Sequence, residues 1–212
     1  MKFAISSAMV VLLFASFALA PLAPAAEKGA YVIDGAKSKM EIHVGKEGAF
    51  KAFGHDHLIE AKEISGEAQF DPQKVEESSV RLRIATKSLI AVDPGESEKD
   101  GKDVQATMTG EKVLDVAKFR EISFASTRVS GAKKLSDGWE LTLAGKLKLH
   151  GVEKPVSFPL RVRADGNQLR GEGELSILQT DYGITPVKAG GGTVKVKDKL
   201  KITFTIVAVP RK

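Results

Sequence analysis

From Tyr31 onward the chain alternates apolar and polar residues with a period of two, over short runs bounded by Gly, Pro, Asp or Ser. That is the repeat of a β-strand with one dry and one wet face. Val80, Leu82 and Ile84 are set against Ser79, Arg81 and Arg83, Ile122 and Phe124 against Ser123 and Ala125, and Leu141 and Leu143 against Glu140 and Thr142. Val156, Phe158, Leu160 and Val162 alternate with Ser157, Pro159, Arg161 and Arg163, and Ile202, Phe204 and Ile206 with Thr203 and Thr205. Earlier runs at Tyr31 to Ile33, Met40 to Val44, Phe50 to Phe53 and Leu58 to Phe70 bring the set to about eight strands. Asp71-Pro72 is a turn, and Ser136-Asp137-Gly138, His150-Gly151 and Asp165-Gly166-Asn167 read as hairpin connections. Antiparallel strands with one apolar face each, joined by short turns, close most economically into a barrel or a two-layer sandwich.

One segment breaks the alternation. Glu96 to Leu114 is polar, with Val104, Met108, Val113 and Leu114 as its apolar points, and reads as a short helix crossing between strands, placed as a lid or plug. Lys188 to Lys199 is Gly-rich and then basic, and reads as a flexible loop before the last strand. Neither an internal repeat nor a composition boundary divides residues 27–212, so one domain is expected there.

Residues 1–26 have the organisation of a secretory signal peptide. Met1-Lys2 gives a positive start, Ala4 to Ala20 is uncharged and apolar, and Ala23-Pro24-Ala25-Ala26 offers small residues for cleavage. The expected location is therefore outside the cytoplasm, periplasmic in a Gram-negative cell. The chain has no Cys, which excludes disulfides, Cys-ligated metal, thiol nucleophiles and a lipoprotein anchor. Its net charge of +5 reads as a solvated surface or as attraction to an anionic membrane or head group. Aromatic residues are too few, and basic residues too interleaved with acidic ones, for nucleic acid.

Four stretches taken in order resemble the YceI-like family of exported bacterial proteins. They are Tyr31-Val32-Ile33-Asp34 with Ser38; Val113-Leu114-Asp115 leading to Ile122-Ser123-Phe124-Ala125-Ser126; Leu141-Thr142-Leu143 running into Leu149-His150-Gly151-Val152-Glu153-Lys154-Pro155-Val156; and Asp181-Tyr182-Gly183-Ile184. The resemblance implies a lipocalin-like antiparallel eight-stranded β-barrel with a short helical crossing segment, holding an isoprenoid lipid, a polyprenyl phosphate or an isoprenoid quinone, for transport or storage. Its inward residues would be Leu82, Ile84, Ile122, Phe124, Leu141, Leu143, Phe158, Leu160, Ile202, Phe204 and Ile206. The same residues also suit a plain packed core. The chain departs from the family where many members carry Arg before the late Asp-aromatic-Gly, since it reads Gln179-Thr180-Asp181-Tyr182-Gly183, and again at Lys99-Asp100 in the crossing.

Phe53-Gly54-His55-Asp56-His57-Leu58 is the most chemically loaded stretch. On a strand His55 and His57 project from one face and Asp56 from the other. Three readings stand: local hydrogen bonds at a barrel mouth, contact with a head group together with Asp181 and Tyr182, or a shared divalent ion with His43 as a further ligand. The last supports an alternative function, a His-dependent metal- or haem-handling envelope protein. His150 reads as a turn residue. Asp93, Glu96, Glu98 and Asp100 read as solvated carboxylates. No nucleophile elbow and no phosphate-cradling loop occurs, Gly190-Gly191-Gly192 included, so no enzymatic activity and no catalytic cofactor are expected. The expected partners are the isoprenoid lipid, a transiently contacted membrane surface and, in a homodimer, a second copy.

Overall fold

The computed structural model describes residues 28–47, 56–93, 97–189 and 194–212. The leader, the expected run Phe50 to Phe53, and His55 lie outside the described residues. Among the described residues twelve strands form one antiparallel sheet: β1 (Gly29–Ile33), β2 (Lys39–Glu47), β3 (His57–Ala61), β4 (Ile64–Phe70), β5 (Ser79–Ala85), β6 (Leu89–Ala91), β7 (Glu121–Lys134), β8 (Gly138–Leu149), β9 (Val152–Asp165), β10 (Gln168–Leu178), β11 (Lys188–Ala189) and β12 (Val194–Pro210). One helix, α1 (Glu98–Thr109), crosses between β6 and β7.

The sheet closes because β12 is long enough to serve two partners. Its C-terminal end pairs with β1 (Val32 opposite Val209) and its earlier part with β2 (Ile42 opposite Ile202). The order β1-β4-β5-β7-β8-β9-β10-β12 then returns to β1, giving an eight-stranded closed barrel. Closure removes the free edges that make open sheets aggregate. The expected strand Leu58 to Phe70 is two strands, β3 and β4, interrupted at Lys62-Glu63; β1 with β2, and β5 with β6, are split in the same way. The upper pieces β2, β3 and β6 continue the wall beyond the closed ring.

Each expected hairpin is present. The link from β8 to β9 is the two-residue turn His150-Gly151, both left-handed (φ 50° and 78°), as a type I′ turn requires. A side chain at Gly151 would start 2.6 Å from Phe119, whose ring lies against His150, so the second turn position has no room for one. Lys195 to Lys199, expected as loop, is strand: β12 pairs there with β2 and β11. Its alternation Val196, Leu200, Ile202 was masked by lysines on the wet face and by the register shift between Val196 and Leu200.

Helix α1 has Ser97 as N-cap, accepting from the Asp100 amide, and buries no residue completely. It is fastened to the barrel by Gln105, whose Oε1 accepts from the Ala91 amide (2.9 Å) and whose Nε2 donates to the Leu89 carbonyl (2.9 Å). One side-chain amide thus supplies the ladder partner that β6 lacks on that side. Gln105→Ala would remove both bonds, each worth about 1 kcal/mol. The Ala91 amide should then exchange with deuterium roughly tenfold faster while β7 to β10 keep their protection. Equal protection at Ala91 in variant and parent would show that the helix is held by other contacts.

Candidate functional site: the barrel cavity

A cavity of about 660 Å³ runs inside the barrel. It is lined from Lys195 and Val196 at one end of β12 to Ile206 and Ala208 at the other. Those fourteen residues span roughly 43 Å of strand at about 3.3 Å per step, or about 30 Å of axial depth at the usual barrel tilt. Such a volume drawn out over that depth is an elongated channel rather than a compact pocket.

All eleven residues assigned to the inward parity (Leu82, Ile84, Ile122, Phe124, Leu141, Leu143, Phe158, Leu160, Ile202, Phe204 and Ile206) line this cavity. Their outward neighbours Arg81, Arg83, Glu140, Thr142, Ser157 and Pro159 are exposed. Phe158 lies between Phe124 (centroids 5.7 Å apart) and Phe204 (5.6 Å). Two glycines make room for these rings: a β-carbon at Gly145 would come within 2.4 Å of Phe124, and one at Gly173 within 2.7 Å of Phe204. Gly171, also inward, has nothing nearer than 3.6 Å, so its missing side chain adds to the channel. Alternation alone could not separate lining from packed core, because both need the same apolar parity; the unfilled position at Gly171 is one place where the lumen is left open.

Charged groups gather at one end only. Lys46, Lys195, His57, Asp100 and Asp103 line the mouth, with Val104, Thr107 and Met108 of α1 beside them. Lys195 is 3.2 Å from Glu47. The His57 side chain is 22% exposed, and its Nδ1 is 2.6 Å from Oδ2 of Asp93, itself 3% exposed. The other carboxylate oxygen of Asp93 accepts the Leu58 amide. Asp93 is therefore no solvated carboxylate of a connection: it orients the imidazole. It was missed because 36 residues separate the partners, and only the pairing of β3 with β6 brings them together.

Of the other expected polar residues, Asp181 and Tyr182 do not reach the cavity. Asp181 is exposed, and Tyr182 is 1% exposed in a 3-10 turn ending at Gly183. Burial, and then the Asp181 carboxylate, raise its phenol above the ordinary value. Beside them Gln179 and Ile184 line the cavity, and the Gln179 Nε2 donates to the Lys197 carbonyl (2.8 Å). His43 pairs with Leu58 while His57 pairs with Val44, so the two imidazoles are on opposite faces of the wall, and His43 instead lies 3.3 Å from the Thr203 hydroxyl. Among the described residues no group of three or more His, Asp or Glu could hold a metal ion.

The turn behind Gln179 is held by Asp198, which accepts the Thr180 hydroxyl (2.6 Å) and the Thr180 amide (2.9 Å). Those bonds hold the Asp198 carboxyl below the usual carboxylate range. A depressed carboxyl contributes stability above its unfolded pKa and loses that contribution as pH falls through the folded one. Exchange protection of the Thr180 amide should therefore decline as pH falls below the ordinary carboxylate range, and Asp198→Asn should abolish that dependence. A parent protein whose Thr180 amide keeps constant protection well below that range, for as long as the barrel stays folded, would contradict the assignment.

A model of the YceI-like domain matches residues 31–208. A UPF0312 protein of Pseudomonas fluorescens is 32% identical over 156 residues, covering 66% of this chain and 74% of its own length. Protein YceI of Salmonella newport is 31% identical over 165 residues, covering 71% and 80%. Among solved structures, Burkholderia cenocepacia BcnA superposes with a TM-score of 0.65 at 23% identity, over 84% of this chain and 99% of that one. A polyisoprenoid binding domain from Saccharophagus degradans superposes with a TM-score of 0.61 at 14% identity, over 85% and 98%. At these identities the structural likeness is one of fold.

Proposed function

The chain belongs to the YceI-like family, and on that premise we propose that its barrel holds an isoprenoid lipid, tail inward and head group at the charged mouth, and carries or stores it in the cell envelope. The observation that carries this reading is the cavity: long, apolar along its depth and charged at one end only. Its volume falls within the roughly 300–1,000 Å³ of small-molecule sites. Each 100 Å² of tail removed from water favours the complex by about 2.5 kcal/mol, so a tail of several isoprene units is retained with no catalytic group. The polyisoprenoid-binding neighbour, alike in fold, supports the same ligand class. The signal-peptide pattern of residues 1–26 supports export to the periplasm, where the carrier would meet membrane surfaces transiently.

The test is a titration of lipid-free protein with a polyprenyl phosphate and an isoprenoid quinone of matched tail length. Saturable binding of both, within about tenfold of one another, is expected if the tail supplies most of the affinity. Failure of both to bind would refute the proposal. With His55→Ala and His57→Ala combined, lipid retention should survive, whereas a protein built for metal or haem would lose its ligand.

A further inference from the structure

We infer that the ring pair Phe70 and Trp139 is a floor that sets how long a prenyl tail the barrel accepts, an inference that rests on the isoprenoid reading and refines it. The charged lining residues stand at the end of the channel formed by β2, β3 and α1, and Phe70 lines it at the other. Phe70 is the last residue of β4, opposite Gly29, while Trp139 is in β8 next to its hairpin with β7, opposite Val162. In the ring of strands β4 and β8 are three positions apart, with β5 and β7 between them. That is about 14 Å around the wall at the usual strand spacing. Yet the ring centroids are 5.2 Å apart, edge to face at 71°. The two side chains therefore meet across the lumen.

Their roles differ. Phe70 lines the cavity, as do its neighbour Gln69 and, opposite on β5, Ser79; Trp139 and Tyr31 are buried but line none of it. Trp139 is thus the layer beneath and Phe70 the surface that a tail entering from the mouth would meet. A tail shorter than the channel leaves apolar lining uncovered, and each further isoprene unit adds burial. A tail that already touches Phe70 must leave any further unit outside the mouth, where it gains little. Affinity should therefore climb at least tenfold per isoprene unit up to a break, and change less than twofold beyond it.

The experiment uses lipid-free protein and a homologous series of polyprenols, which carry no chromophore, with occupancy read by native mass spectrometry. The chain has one tryptophan, so its emission reports the floor directly and should shift only once the tail reaches the break. Phe70→Leu should move the break to a longer polyprenol and Phe70→Trp to a shorter one. Loss of folding would not move the break in opposite directions. An unmoved break in both variants, or affinity that rises without a break, would overturn the floor assignment while leaving isoprenoid binding intact. If no polyprenol binds at any length, the isoprenoid reading fails and this one with it.

Discussion

Leu143→Asp should leave little folded protein at neutral pH, and less as the pH rises. Leu143 is 4% exposed, pairs with Phe158 across β8 and β9 and with Val129 across β7 and β8, and lines the channel. A carboxylate there has no partner and faces hydrocarbon, so it stays protonated until well above its ordinary pKa. Each unit by which that pKa is raised costs about 1.4 kcal/mol at neutral pH. The sign follows from linkage: the folded state binds the proton more tightly than the unfolded one, so the ionisation-linked part of the destabilisation is absent below the unfolded pKa and grows as pH rises. Thermal melts should show a loss of more than about 10 °C at neutral pH, at about 2–4 °C per kcal/mol, and a partial recovery on acidification. Leu143→Asn, of similar shape but not ionisable, should show no such recovery. A variant that melts like the parent at all pH values would mean that position 143 faces solvent.

Gly171→Phe should have the opposite character: a large loss of lipid binding with no loss of fold. Position 171 is inward, its backbone is not in the left-handed region, and a β-carbon there meets only Leu160 at 3.6 Å and the Ile206 carbonyl at 3.9 Å. The new ring would project into the channel between Val162 and Ile206, the residues opposite Gly171 on β9 and β12. Filling apolar space that a tail otherwise occupies should weaken isoprenoid binding by about a hundredfold, or some 2.7 kcal/mol. The lipid-free protein should melt at the parent temperature or a few degrees higher, because cavity filling commonly stabilises. A core with no ligand role would show the stabilisation without a binding phenotype. Unchanged lipid affinity would place the ligand elsewhere.

The parity of the strands was legible because a barrel wall imposes one apolar residue in two, and nothing in Leu82, Phe124, Leu143 or Phe158 opposes that pattern. The turn chemistry was equally direct at His150-Gly151, where two left-handed residues are required. What the sequence hid are the features made by long-range pairing. Asp93 reads as one more acidic residue of a polar connection until β6 lies against β3 and puts it on His57. Gln105 carries no signal of its own, since its meaning depends on an unpartnered edge. Asp181 and Tyr182 attracted attention as a motif, yet Tyr182 is consumed by burial under the turn it helps to form, and Gln179 and Ile184 line the cavity instead. The break between β1 and β2 was legible as two separate runs, whereas that between β3 and β4 was not, because each piece alternates correctly on its own.

The most direct measurement is native mass spectrometry of the protein purified from its own envelope under non-denaturing conditions, with organic extraction of whatever is bound and a parallel metal analysis. One isoprenoid lipid per chain is expected, released by organic solvent, absent from Gly171→Phe and independent of metal content. Protein that carries no lipid and instead holds stoichiometric metal, lost when His55 and His57 are replaced, would contradict the isoprenoid reading.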